Sequence, residues 1–217
     1  SSLTGCSRDG NAEQTVLRVM TFNLRTAATI DQFSWVKRRP VVRELLLREK
    51  PDIIGTQEGT YAQLVNIAED SPSYQWIGEG REGNNRGEFA AVFFNKERLK
   101  PLDQGHFWLS NTPDVPGSIT WGNAYPRMAT WVKFQDVRTR KTFYVINTHF
   151  DHQSELSRQK SAELIIRTAD TFEAGVPVLV TGDFNSRQDG YSHEIFTKKG
   201  GMKDAYMEAV ERINENY

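Results

Sequence analysis

The side chains best suited to chemistry in this sequence stand at the ends of four apolar runs. Asn23 follows Val19-Met20-Thr21-Phe22, and Gln57-Glu58 follows Ile53-Ile54-Gly55-Thr56. Asn147-Thr148-His149 follows Phe143-Tyr144-Val145-Ile146, while Asp183 and Asn185 follow Val178-Leu179-Val180-Thr181-Gly182. Short apolar, β-branched runs of this kind read as strands. If the four share a sheet layer and a direction, their ends converge at one edge, where rigid strands fix residues able to bind a ligand. Asn and Asp also begin turns after strands, because they hydrogen-bond locally and tolerate left-handed backbone. That ordinary role would account for Asn23 or Asp183 alone. It accounts less well for Glu58 and His149, which are poorer turn formers.

The residue types narrow the chemistry. The carboxylates of Glu58 and Asp183 and the amides of Asn23 and Asn185 are hard oxygen donors, a set suited to Mg2+, Mn2+ or Ca2+. The sequence has no cysteine cluster and no HExxH helix, which argues against structural or protease-type zinc. It also lacks a P-loop, a GxGxxG turn and a GxSxG elbow. A hard cation beside a histidine fits phosphoester hydrolysis, in which charge on the phosphoryl oxygens is neutralised and fixed donors hold the rest.

The elements that must position these groups mix strands and helices. Strands are predicted at 16–22, 52–57, 74–77, 88–95, 128–137, 142–148 and 176–181, and helices at 36–50, 61–69, 154–172, 191–198 and 204–214. Residues 96–126 are rich in Pro, Gly and Asn and read as mostly irregular, carrying Phe107, Trp108, Trp121 and Tyr125. Such a loop is either a binding element or a cover that packs its own aromatics. Several strands follow one another without a helix, so the pattern predicts sheets covered by helices rather than a doubly wound repeat.

The chain has 217 residues, enough for one domain with a real core. A formal net charge of −1 excludes a globally basic surface and disfavours non-specific nucleic-acid binding. Lys37-Arg38-Arg39 reads as the polar face of a helix. The one cysteine, Cys6, cannot form an internal disulfide. Leu3-Thr4-Gly5-Cys6 resembles a bacterial lipobox, and the polar Ser7-Arg8-Asp9-Gly10-Asn11 would follow it as a tether. Residues 1–15 are therefore expected to be a lipobox and flexible tether. Lipidation at Cys6 would place the protein outside the cytoplasm, held at the cell envelope by its lipid alone. Residues 16–217 are expected to form the catalytic domain, as a monomer.

The segments Thr21-Phe22-Asn23-Leu24, Gly55-Thr56-Gln57-Glu58, Asn147-Thr148-His149 and Thr181-Gly182-Asp183-Phe184-Asn185 resemble, in order, those of the endonuclease/exonuclease/phosphatase superfamily with its DNase I-like fold. Gly105-His106-Phe107-Trp108-Leu109-Ser110 and Asp114-Val115-Pro116-Gly117-Ser118 are similar to a bacterial branch of it. The resemblance implies an α+β fold, a four-layer α/β/β/α sandwich, and hydrolysis of phosphate monoesters or diesters with Mg2+ (or Mn2+/Ca2+). It implies that Glu58 is the principal metal ligand and that Asn23 binds metal directly or through water. Asp183 and Asn185 would orient the attacking water and contact the phosphate, and His149 would donate to the phosphate. Arg127 matches a phosphate-contacting arginine of some relatives, and His152 is a substrate-contact candidate. The family's closing strand with Ser-Asp-His has no counterpart here, and His193 lacks the expected neighbours. The sequence is therefore expected to lack the closing strands and general base, as well as a leader, and to have little activity by itself. The alternative is a surface lipoprotein that binds phosphorylated ligands without turning them over.

Overall fold

A computed structural model describes residues 16–27 and 32–212. Cys6 and the expected tether lie outside the described residues.

The chain forms two four-stranded sheets. The first has the order β1-β2-β4-β3, from β1 (Val19–Asn23), β2 (Ile53–Gln57), β3 (Tyr74–Ile77) and β4 (Val92–Asn95). The second has the order β5-β6-β7-β8, from β5 (Leu99–Trp108), β6 (Met128–Asp136), β7 (Thr142–His149) and β8 (Val178–Asp183). Helices α1 (Trp35–Glu49) and α2 (Tyr61–Asp70) belong to the first half of the chain. Helix α3 (Glu155–Asp170), the short α4 (Tyr191–Glu194) with a π turn at Ile195–Lys199, and α5 (Ala205–Glu208) belong to the second.

Three apolar clusters follow from the alternation of side chains along these strands. Ile53, Val92, Phe94, Val132, Phe134 and Val145 fill the space between the sheets. Ile54 and Phe93, one residue out of phase, pack with Trp35, Val42, Leu46, Leu64 and Ile67 of α1 and α2. Ala129 and Ile146 likewise pack with Ala162 and Ile165 of α3. Helices thus cover both outer faces, and the layers run α/β/β/α.

Each sheet contains one parallel pair joined through a helix: β1 and β2 through α1, and β7 and β8 through α3. The four site-bearing strands are therefore divided between two sheets, not gathered in one layer as the apolar runs suggested. Their ends still converge, because the two parallel pairs face each other, with Thr21 Oγ1 donating to the Gly182 carbonyl at 3.4 Å. The expected irregular stretch 96–126 is also corrected, since β5 occupies its first third. β5 is an edge strand with most of its central residues exposed, so it lacks the apolar signature of a buried strand. Pro101 is tolerated there beside a break in register between Pro101 and Asp103. β4 begins at Val92 rather than at residue 88. The helix expected at 191–198 divides into α4 and the π turn, and of the one expected at 204–214 the described residues, which end at 212, form α5.

Candidate active site

The inward faces of the two parallel pairs carry three levels of side chain. Deepest are apolar groups, among them Ile53, Val145 and Leu179. Two residues further along each strand come Thr21, Gly55, Asn147 and Thr181, and two further again Asn23, Gln57, His149 and Asp183. The levels are in register, with Thr21 paired to Gly55, Asn147 to Thr181, Asn23 to Gln57 and His149 to Asp183.

The middle level is a polar brace between the sheets. Fully buried Asn147 donates through Nδ2 to the carbonyls of Thr56 (2.7 Å) and Ala91 (2.9 Å). Its Oδ1 accepts from Gln57 Nε2 (2.9 Å) and Thr181 Oγ1 (3.0 Å). Glycine at position 55 is required by this contact, because a Cβ there would lie 2.2 Å from Thr181 Oγ1 and 2.5 Å from Asn147 Oδ1.

The outer level holds the chemistry. Asn23 Nδ2 donates to Glu58 Oε1 and to Asp183 Oδ2, each at 3.0 Å. One amide nitrogen thus gathers two carboxylate oxygens from opposite sheets. A hard divalent cation fits this donor set, because two carboxylates converge on one point. Glu58, Asp183 and Asn23 are the residues that would hold it. Among the described residues, no group of three or more His, Cys, Asp or Glu side chains is arranged to hold a metal. Glu58 has φ +61° and Asn185 φ +46°, left-handed conformations that cost non-glycine residues about 1–3 kcal/mol each.

His149 forms the other wall. Its Nδ1 faces Arg127 Nη1 at 3.1 Å, and because arginine only donates, the imidazole proton sits on Nε2. That nitrogen is 3.3 Å from Asn185 Nδ2 and 3.9 Å from Asp183 Oδ2. Burial, with the positive Arg127 beside it, pushes His149 down to about 4 against the pull of Asp183 and Glu58, so the ring is neutral near pH 7. Arg127 Nη2 meets His152 Nδ1 at 3.2 Å, fixing that ring by the same logic. Arg127 itself is 5% exposed, with its Nε 3.7 Å from Asp151. Each terminal nitrogen gives one N–H to an imidazole. Asp151, fully buried, accepts from the backbone N–H groups of Gln153, Ser154 and Ala124. It thereby ties the loop before β6 to the start of α3. Asn185 Nδ2 donates to the Phe150 carbonyl at 2.8 Å, and Asp183 Oδ1 accepts from Asn185 N at 3.0 Å.

The structure therefore brings together Asn23, Glu58, His149, Asp183, Asn185, Arg127 and His152. His193 is elsewhere, paired with Asp204 at 2.8 Å. Sequence reasoning passed over Arg81 and Glu88, which line a cavity of about 310 Å³ with Glu58, His149 and Tyr125. They lie in a charged, glycine-bearing stretch with no periodicity to set them apart. It also passed over Asp151, whose one signal is its place between the His149 strand and a helix start.

Residues 20–214 match the Endonuclease/Exonuclease/phosphatase family. An endonuclease/exonuclease/phosphatase from Bacteroides vulgatus is 38% identical, with a TM-score of 0.86 over 89% of this chain and 76% of its own. A mannosyl-6-phosphatase from Bacteroides thetaiotaomicron is 35% identical, with a TM-score of 0.85 over 88% and 74% respectively. An uncharacterized protein of Acanthamoeba polyphaga mimivirus is 31% identical over 163 residues, and the chain spans 60% of that relative's length.

Proposed function

The chain belongs to the Endonuclease/Exonuclease/phosphatase family, and on that premise we propose that it hydrolyses small phosphate esters at the site built on Asn23, Glu58, His149, Asp183 and Asn185. The observation that carries this reading is the meeting of Glu58 and Asp183 on the Asn23 amide, beside a neutral imidazole that presents an N–H.

Glu58 and Asn23, with Asp183 beside them, would hold a divalent cation, which would supply charge neutralisation at the phosphoryl oxygens. The other work belongs to the chain. Asp183, anchored through Oδ1 by the Asn185 N–H, orients the attacking water and accepts its hydrogen bond. His149 donates from Nε2 to a phosphoryl oxygen, a bond that strengthens as charge builds in the transition state. Asn185, turned toward the site by its left-handed backbone, completes the donors around the phosphate. Arg127 acts through the imidazoles, holding His149 in the donating tautomer and His152 at the substrate side.

Small esters are favoured over nucleic-acid strands on two grounds. The cavity of about 310 Å³ is near the lower end of small-molecule pockets, and the net charge is −1. The mannosyl-6-phosphatase relative supports a monoester. A panel of phosphate monoesters and diesters assayed with Mg2+, Mn2+ and Ca2+ tests the proposal. We expect hydrolysis that chelation abolishes and that Glu58→Gln lowers by about 10²-fold or more. Hydrolysis indifferent to chelator, or to Glu58→Gln, would overturn it.

A receptor without turnover is the second reading. It has one observation behind it: the Nδ1 lone pair of His149 is engaged by Arg127, so that ring is not free to act as a base. Metal-dependent binding of an ester that is never cleaved would favour it. We also propose attachment at the cell envelope through Cys6, resting on Leu3-Thr4-Gly5-Cys6. Incorporation of a labelled fatty acid, absent in Cys6→Ala, is the expected result.

A further inference from the structure

The cavity next to His149 holds a carboxylate that a phosphate does not need. Glu88 lines it together with Glu58, and two carboxylates repel a phosphoryl group. Burial, followed by the nearby Glu58, raises the Glu88 carboxyl against the pull of Arg81 and Arg127. Glu88 is paired with Arg81, whose Nη1 donates to Oε2 at 2.8 Å. Both side chains are largely buried, at 13% and 20% exposure. Taking an ion pair out of water is costly, so a pair here needs a reason.

Loop closure is not that reason. The segment from Gly80 to Glu88 already closes on its own backbone, with Arg81 N donating to the Glu88 carbonyl (2.9 Å) and Gly80 N to the Asn84 carbonyl (2.7 Å). Trp108 Nε1 pins the Arg81 carbonyl at 2.7 Å. Arg81 Nε is sealed inside the fold and offers a ligand nothing. The hydrogen-bonding capacity the pair leaves over is Glu88 Oε1, since the Arg81 bond uses Oε2 and among the described residues no other hydrogen bond runs to that carboxylate. The Arg81 guanidinium lies 4.7 Å from the Tyr125 ring centre, and Tyr125 stacks on His152 at 6.3 Å. His152, fixed through Nδ1 by Arg127, turns its N–H the other way.

We propose that Arg81, Glu88 and Tyr125 form a leaving-group subsite that selects esters of a polyhydroxylated, sugar-like alcohol. The subsite deepens the hydrolytic reading above and rests on it for the position of the phosphate. Sugar hydroxyls both donate and accept, and here a free carboxylate oxygen lies beside guanidinium and imidazole donors, an alternation that vicinal hydroxyls match. A flat apolar leaving group finds less. Tyr125 is the one Phe, Tyr or Trp lining the cavity among the described residues, and its ring is already engaged by Arg81 and His152. Such a ligand would also leave the Arg81–Glu88 pair desolvated without new partners, which is how a polar site rejects an analogue lacking hydroxyls.

The test compares glucose 6-phosphate and mannose 6-phosphate with phenyl phosphate, using the full chain with Mg2+. The quantity read is the ratio of kcat/KM for hexose 6-phosphate to that for phenyl phosphate. We expect wild type to favour the hexose esters, and the ratio to fall by at least about tenfold in Glu88→Gln and in Tyr125→Ala. If wild type hydrolyses neither class, the hydrolytic reading has failed, and the same ratio taken on dissociation constants by calorimetry decides the subsite. A ratio that moves less than about twofold in both variants overturns the subsite, as does a wild-type preference for phenyl phosphate. Tyr125 is 51% exposed, so Tyr125→Ala decides the matter if Glu88→Gln does not fold.

Discussion

Replacing Asn147 by alanine tests whether the two sheets are held in register beneath the site. The substitution removes four hydrogen bonds, two donated to the Thr56 and Ala91 carbonyls and two accepted from Gln57 and Thr181. Each is worth about 0.5–1.5 kcal/mol net, with more lost where a buried partner is stranded. Some partners recover. The Ala91 carbonyl keeps the Thr56 N–H, and Gln57 Nε2 keeps the Gly55 carbonyl and Thr21 Oγ1. Setting that recovery against the four losses gives a cost of about 3 kcal/mol. For a chain of this size that is a fall in Tm of about 6–12 °C. Urea unfolding followed by circular dichroism measures the first quantity and calorimetry the second. Asn147→Asp is the sharper variant, because it keeps the shape and the acceptor but sets a buried carboxylate against two carbonyls. We expect it to cost at least as much as alanine. A cost below about 1 kcal/mol in both would refute the brace.

Three further outcomes follow from the same geometry. Gly55→Ala should destabilise by about 1–3 kcal/mol in urea unfolding, because its Cβ meets two braced oxygens at 2.2 and 2.5 Å. Arg127→Lys should lower kcat by about 10²-fold, with the His149 proton moving off Nε2 in 15N spectra of the imidazole. If the tautomer stays while activity falls, Arg127 acts in another way. Burial would raise the Asp136 carboxyl, but the Arg98 side chain and the backbone at Arg138 outweigh it and hold it low. Its stabilisation is thus present above the unfolded value near 4 and is lost as pH falls through the lowered folded value. Asp136→Asn should flatten the acid limb of stability below about pH 4 while lowering stability at pH 7.

Most of the site was legible because strand periodicity and chemistry coincide. Asn23, His149 and Asp183 close apolar runs, and Glu58 follows one by a single residue, so the runs that predicted the strands also pointed to their ends. The division of those strands between two sheets was not legible, since inward apolar residues such as Ile53 and Val145 look alike whichever sheet opposes them. β5 was missed because an exposed edge strand has no buried face to impose alternation. The part of Arg127 was only half visible. Its match to a phosphate-contacting arginine of similar proteins marked it as a candidate, but its grip on two imidazoles depends on β7 and the loop beyond it lying alongside. Arg81 and Glu88 were invisible, because their pairing across a loop leaves no periodic trace.

The brace at Asn147 also separates what can vary from what cannot. Asn23, His149 and Asp183 stand two residues beyond a locked layer, so the distance between the sheets is set before any ligand arrives. Residues 78–88 and 109–127, which carry Arg81, Glu88, Tyr125 and Arg127, lie outside that layer. Arg127, gripping both imidazoles, ties them back to the chemistry. Mutation could therefore redraw the proposed alcohol-binding wall without moving the Glu58 and Asp183 carboxylates. On the proposed reading, such a division of labour would let one hydrolytic centre be inherited by descendants that cleave different esters.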